Sequence, residues 1–173
     1  MVKTDHLSIR RVQTYDWKEI QAIWADASDS AYAQYDKPND LDDQSVSRRI
    51  AKWASFADGD EHIFLAVCLQ DVVIGYVAFN KRENGYEIGY CFHSNYHGKG
   101  YARESISAIL DVMKDKGAVS ITAGTALNNT PSVRLLKSLG FRQTGTEEVS
   151  FYKDAEGKDI TFEGGTYELL LNE

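Results

Sequence analysis

The sequence predicts an α+β domain: one mixed, mostly antiparallel, seven-stranded sheet flanked by about four helices. Three observations carry this. β-Branched and aromatic runs follow one another from Ile63 to Phe92 with short links. Four other stretches place apolar residues at helical spacing. One strand–helix–strand passage, Glu87 to Thr125, has room for a parallel, right-handed crossover.

Each element has a local reason. "LSIRRV" alternates and reads as a first strand. Asp16 is the expected N-cap of a helix carrying Trp17, Ile20, Ile23 and Trp24. "DSAYAQYDKPND" is polar and aromatic, with Pro38 as a breaker, and reads as a loop with a helical turn. Leu41, Val46, Ile50, Trp53 and Phe56 mark a second helix, closed by Asp58-Gly59. "IFLAVCL", "VVIGYVAFN" and "GYEIGYCF", turned at Gln70-Asp71 and Asn84-Gly85, form an antiparallel meander. Ala102, Ile106, Ile109, Leu110 and Met113 line one face of the clearest helix, which Gly117 ends. "AVSITAGT" is a strand. Thr130 is the expected cap of the last helix, with Pro131 at its first position and Gly140 beyond its end. Two runs about Ala155-Glu156-Gly157 make a closing hairpin, and an exposed last strand would suit pairing across a dimer.

The 173 residues are expected to form one domain, residues 1–173, with 43% hydrophobic and 26% charged residues. A net charge of -7 disfavours nucleic acid and suits a cationic partner such as an amine. No apolar run reaches membrane-spanning length, and "MVKTDHLSIRR" is not of signal-peptide type, so no membrane partner and a cytoplasmic location are expected. Cys68 and Cys91 read as two buried thiols. The four histidines match no metal spacing, so no metal is expected.

"NYHGKGYA", Asn95 to Ala102, joins a strand to the strongest helix. It is not a Walker loop: His93 stands where the first glycine belongs, and Gly100 follows Lys99. It is not a dinucleotide fingerprint, since Arg103 holds the third glycine's place. Alone it reads as a tight turn. Its setting at a helix N-terminus also fits a phosphate cradle.

"HGKGYARESI" together with "NNTPSVRLLKSLGF" resembles the GNAT superfamily of N-acetyltransferases. "EIGY", "YHGKGYA" and "NTPSVRLLKSLGF" look most like the branch that acetylates N-terminal alanines of ribosomal proteins. The specific motifs lie between Glu87 and Phe141, and the first sixty residues match in element type alone. Asn95 replaces the Gln or Arg that leads the family's pyrophosphate loop, and His97 stands where this branch usually has Trp.

The resemblance implies acetyl-CoA as donor and an amine acceptor, either a protein N-terminus or a small molecule. It implies transfer by direct attack in a ternary complex, by a monomer or homodimer. The N–H groups of His97, Gly98, Lys99, Gly100, Tyr101 and Ala102 would meet pyrophosphate, with Lys99 or Arg103 adding charge. The backbone of Cys91, Phe92 and His93, splayed from the next strand, and Asn129 would meet pantetheine. Glu87 is the candidate base and Ser132 the candidate acid for the leaving thiolate; each has a structural alternative, as a cross-strand carboxylate and a first-turn serine. Many superfamily members carry that acid as a tyrosine four residues on, where this chain has Leu136. Cys91 and His93 share a face and invite a covalent route, but no third group orients them. Trp24, Tyr32 and Tyr35, with Asp29 and Asp36, are candidates for the acceptor site. The alternative is a CoA-binding sensor or scaffold of the same fold, without transfer.

Overall fold

The computed structural model describes residues 1–172. Eight strands form one sheet: β1 (Val2–Lys3), β2 (Leu7–Arg11), β3 (His62–Leu69), β4 (Val72–Arg82), β5 (Gly85–Phe92), β6 (Ser120–Ala126), β7 (Arg142–Lys153) and β8 (Asp159–Leu170). The helices are α1 (Trp17–Ser28), α2 (Asp43–Ala54), α3 (Tyr101–Asp115) and α4 (Thr130–Ser138). The sheet order is β1-β2-β3-β4-β5-β6-β8-β7. Every neighbouring pair is antiparallel except β5 and β6. The α+β class, the meander, the parallel crossover and the closing hairpin are as the sequence predicts. The eighth strand, β1, is only two residues long, too short to leave a period.

The last strand is not an edge. β8 lies between β6 and β7, so β7 forms that rim. Its first seven residues are all exposed. Among the described residues, no helix is long and apolar enough to cross a membrane.

Helices cover both faces. Ile106, Ile109, Leu110 and Met113 of α3 and Leu136 of α4 pack with Ile88, Phe92, Ile121 and Tyr167. On the other face Ile20, Ile23 and Trp24 of α1 and Val46 and Ile50 of α2 pack with Ala66, Cys68 and Val73. Both cysteines are free thiols; Cys68 is buried and Cys91 half-buried.

Two caps differ from expectation. Asp16 stands at the N-cap of α1, as expected, but its side chain makes no cap bond; it is 1% exposed, and its carboxylate accepts two bonds from the Arg10 guanidinium at 2.7 and 2.8 Å. The burial of a charge demands such a partner. At α4 the cap is Asn129, one residue before Thr130, and its side chain accepts from Ser132 N–H at 3.3 Å.

The sheet opens where β5 meets β6. They pair only at Tyr86–Ile121 and Glu87–Thr122. At the foot of this fork, a Cβ on Gly85 would stand 2.1 Å from the Ser120 carbonyl oxygen. Only glycine allows that approach.

Candidate functional site

The fork leaves one edge of β5 free beyond Glu87, while β4 pairs with β5 along its length without a register shift. His93 N–H reaches Ile74 C=O on β4 at 3.0 Å. Antiparallel alternation then turns the N–H and C=O of Phe92, Tyr90 and Ile88 toward the fork. Of the three residues expected to offer backbone groups there, Phe92 does, while Cys91 and His93 point theirs at β4. Tyr90 joins Phe92. The Phe92 carbonyl is already engaged, accepting from His97 Nε2 at 2.7 Å.

The glycine turn follows. Gly98 and Gly100 have φ of 72° and 81°, a region that disfavours side chains. Nothing lies within 4 Å of a Cβ placed on either. Gly100 occupies the N-cap of α3 and supplies no side-chain cap, so the first-turn N–H groups have no such partner. Lys99 Nζ lies 5.7 Å from the centre of the Tyr96 ring. The turn is held from outside: Asp26 of α1 accepts from Ser94 N–H at 2.7 Å and Ser94 Oγ–H at 2.6 Å. Burial alone would raise the Asp26 pKa, but these two bonds and the nearby His93 and His97 rings hold it below the usual range.

Across the fork stands α4. Ser132 Oγ meets Tyr90 Oη at 2.8 Å, so the β5 side chain bridges the gap to α4. Burial pushes the Tyr90 hydroxyl pKa up, Ser132 draws it down, and the Asp36 and Tyr167 charges push it up again. Tyr167, on the same sheet face, is 1% exposed, and its hydroxyl has no hydrogen-bond partner among the described residues.

Glu87 lies elsewhere. Arg82 Nε and Nη2 donate to it at 2.8 and 2.5 Å, in a pair about half exposed. Four residues of strand put it roughly 13 Å from Cys91. The Cys91 thiol pKa is pushed to about 12 by burial and by Asp36 and Asp26. A thiol so placed is protonated and a poor nucleophile. His93 Nδ1 accepts from Asn95 N–H at 3.2 Å, bringing no base to Cys91.

Trp24 belongs to the core. It is 1% exposed, donates to Tyr76 Oη at 2.9 Å and packs edge-on to Trp53, with no surface left for an acceptor. Tyr32 is 36% exposed and Tyr35 packs on Phe162 at 5.1 Å, so both stand on the loop facing the closing hairpin. Tyr152 of β7 donates to Ala33 C=O at 3.3 Å, pinning that loop. Asp36 ends the loop's helical turn. Asp36 is exposed, yet surrounding protein raises its pKa. Its field reaches Tyr76, Tyr90 and Cys91. Asp29 is the C-terminal cap of α1. Of two hollows, one lies between α3 and α4 near Leu110 and Leu139, and the other at the foot of the fork, where Gly85 and Ser120 line it with Arg82, Glu83 and Lys116. The fork itself is an open groove along a strand edge.

Sequence reasoning missed Tyr90 and Asp26. Tyr90 shares the buried face with Ile88 and Phe92 and reads as a core aromatic; its only signal is a hydroxyl on that face.

Residues 6–142 match the acetyltransferase (GNAT) domain. The chain is 32% identical over 145 residues to the uncharacterized N-acetyltransferase YnaD of Bacillus subtilis (strain 168), covering 81% of this chain and 84% of that one. Its fold is similar to ribosomal-protein-S5-alanine acetyltransferase from Vibrio fischeri, with a TM-score of 0.82 and 18% identity over 99% of this chain and 97% of that one. It is also similar to yncA from Salmonella typhimurium, solved with its cofactor acetyl-CoA, with a TM-score of 0.75 and 24% identity over 98% and 96% of the two chains. The chain belongs to the GNAT acetyltransferase family and is an N-acetyltransferase.

Proposed function

We propose that this GNAT acetyltransferase, as one domain spanning residues 1–173, moves an acetyl group from acetyl-CoA to a primary amine. The acceptor is a protein N-terminal α-amine or a small-molecule amine, and attack is direct, within a ternary complex. The fork carries this reading: β5 and β6 pair at two positions and then part, beside a helix whose N-terminus has no side-chain cap.

The residues present fit acetyl-CoA. A pantetheine amide suits the N–H and C=O of Tyr90, which face the fork. The first-turn N–H groups of α3 suit pyrophosphate, and the open space over Gly98 and Gly100 lets it approach. Asn129 accepts from Ser132 through its side-chain oxygen, which leaves its amide N–H₂ to donate to pantetheine. Phe92 N–H, facing the fork, is the oxyanion donor.

An amine must be neutral to attack. An α-amine, at a pKa of roughly 8, is about a tenth neutral at pH 7, whereas a lysine near 10.4 is less than about one part in a thousand. A weak base therefore suffices for an N-terminus. Asp36, with its raised pKa and its field on Tyr90 and Cys91, fits that role better than Glu87, which Arg82 holds at the far end of β5. Ser132 is the donor-side acid.

The test is release of free thiol from acetyl-CoA across peptides beginning with Ala, Ser, Thr or Met and across polyamines and arylalkylamines. Turnover of at least one acceptor is expected. Acetyl-CoA binding without turnover on any of them would overturn the transfer reading in favour of a binding module. No thermal shift with acetyl-CoA would overturn both.

A further inference from the structure

We infer that Tyr90 supplies, through Ser132, the proton that the departing thiolate takes up, and so replaces the tyrosine absent at Leu136. The inference rests on the proposed transfer from acetyl-CoA, and it gives a role to a side chain which that reading leaves without one.

The geometry is direct. Tyr90 Oη and Ser132 Oγ are 2.8 Å apart, the one from β5 and the other from the first turn of α4, across the open fork. The serine N–H is fixed by Asn129 at 3.3 Å, which locks the first turn that carries the hydroxyl. A serine alone is a poor donor, since losing its proton would leave an alkoxide. A phenol, even one whose pKa burial pushes up, is a far stronger acid than a serine hydroxyl. A phenol behind the serine therefore lets one proton leave Ser132 as another arrives.

The step balances. The neutral amine attacks the thioester carbonyl carbon, and the C–S bond breaks with its electron pair on sulfur. Ser132 Oγ–H passes its proton to sulfur while Tyr90 Oη–H passes its own to Ser132 Oγ. The phenolate left on Tyr90 recovers a proton from the acylated nitrogen. The products are the amide and the free thiol, and the proton lost earlier by the ammonium form goes to solvent.

Tyr90 acts through Ser132 and is a positioning residue, so the test separates chemistry from packing. Tyr90→Phe, Ser132→Ala and the double variant are assayed with acetyl-CoA and the best acceptor of the panel above. Tyr90→Phe should lower kcat about 10- to 100-fold with KM for acetyl-CoA within about twofold. The double variant should fall within about twofold of the slower single variant, because the two hydroxyls serve one transfer. A Tyr90→Phe kcat within about twofold of the parent overturns the inference and leaves the transfer reading standing. So do losses that multiply in the double variant, or a loss confined to KM or thermal stability. Should Tyr90→Phe fail to fold, Ser132→Ala, which keeps the Tyr90 ring packed, must show the same kcat loss or the inference fails. A parent enzyme that binds acetyl-CoA and acetylates nothing overturns both.

Discussion

Two strand-to-helix junctions flank the fork, and they treat their helices in opposite ways. From β5 the chain enters α3 through Gly100, left-handed and with no side chain to cap the first turn. From β6 it enters α4 through Asn129, which accepts from Ser132 N–H and is followed by Pro131. The second junction satisfies itself and holds a serine in place. The first is held instead by contacts outside the helix: Asp26 on Ser94, and His97 on the end of β5. A helix end that keeps its own cap positions side chains. One that lacks a cap is free to receive an anion.

That contrast can be broken by exchanging what the two ends lose. Gly100→Glu puts a carboxylate and a strained φ at the open end. Acetyl-CoA affinity should fall more than about 100-fold in calorimetry, mostly through repulsion of the diphosphate. Asn129→Ala should do the reverse, costing about 1 kcal/mol of stability in urea unfolding with only a few-fold change in affinity. Equal losses of affinity in the two variants would erase the distinction.

The outside support is tested through Asp26. Its pKa is depressed in the folded protein, so its contribution is complete above the unfolded value near 3.9 and is lost as pH falls through the folded one. Asp26→Asn should therefore cost about 1.5–3 kcal/mol at pH 7. That difference should shrink steadily below about pH 4 in unfolding curves. A gap that stayed constant down to pH 2 would mean that the charge plays no part.

The smallest effect is expected at His97. Its Nε2 donates to the Phe92 carbonyl, and an indole N–H is also a donor. His97→Trp should leave acetyl-CoA affinity within about threefold of the parent in the same calorimetry. A larger loss would mean that the imidazole itself meets the ligand.

The elements were legible because they are local. Period and turn chemistry placed seven strands and four helices from residues a few positions apart. What failed was longer in range. Asp16 stands where an N-cap belongs, and only the folded chain puts Arg10 against it. The loop that ends at Asp36 has no pattern of its own; Phe162 and Tyr152, more than a hundred residues on, give it its place. In the site, the glycine turn announces itself because its backbone conformation demands glycine. Tyr90 does not, since a tyrosine between Ile88 and Phe92 on a strand looks like packing until Ser132 is seen against it. Trp24 misled for the opposite reason: an aromatic near an acidic loop resembled a binding group and is core.

The joint at Gly85 has a mechanical side. β5 and β6 touch only near their start, where Gly85 lies against Ser120, and the free end at Phe92 lies seven residues further on, roughly 23 Å away. The pair is a clothes-peg with its spring at one end. β4 holds β5 and β8 holds β6 along their lengths, so the parting of the tips is set by two paired arms as well as by the close approach of Gly85 to Ser120.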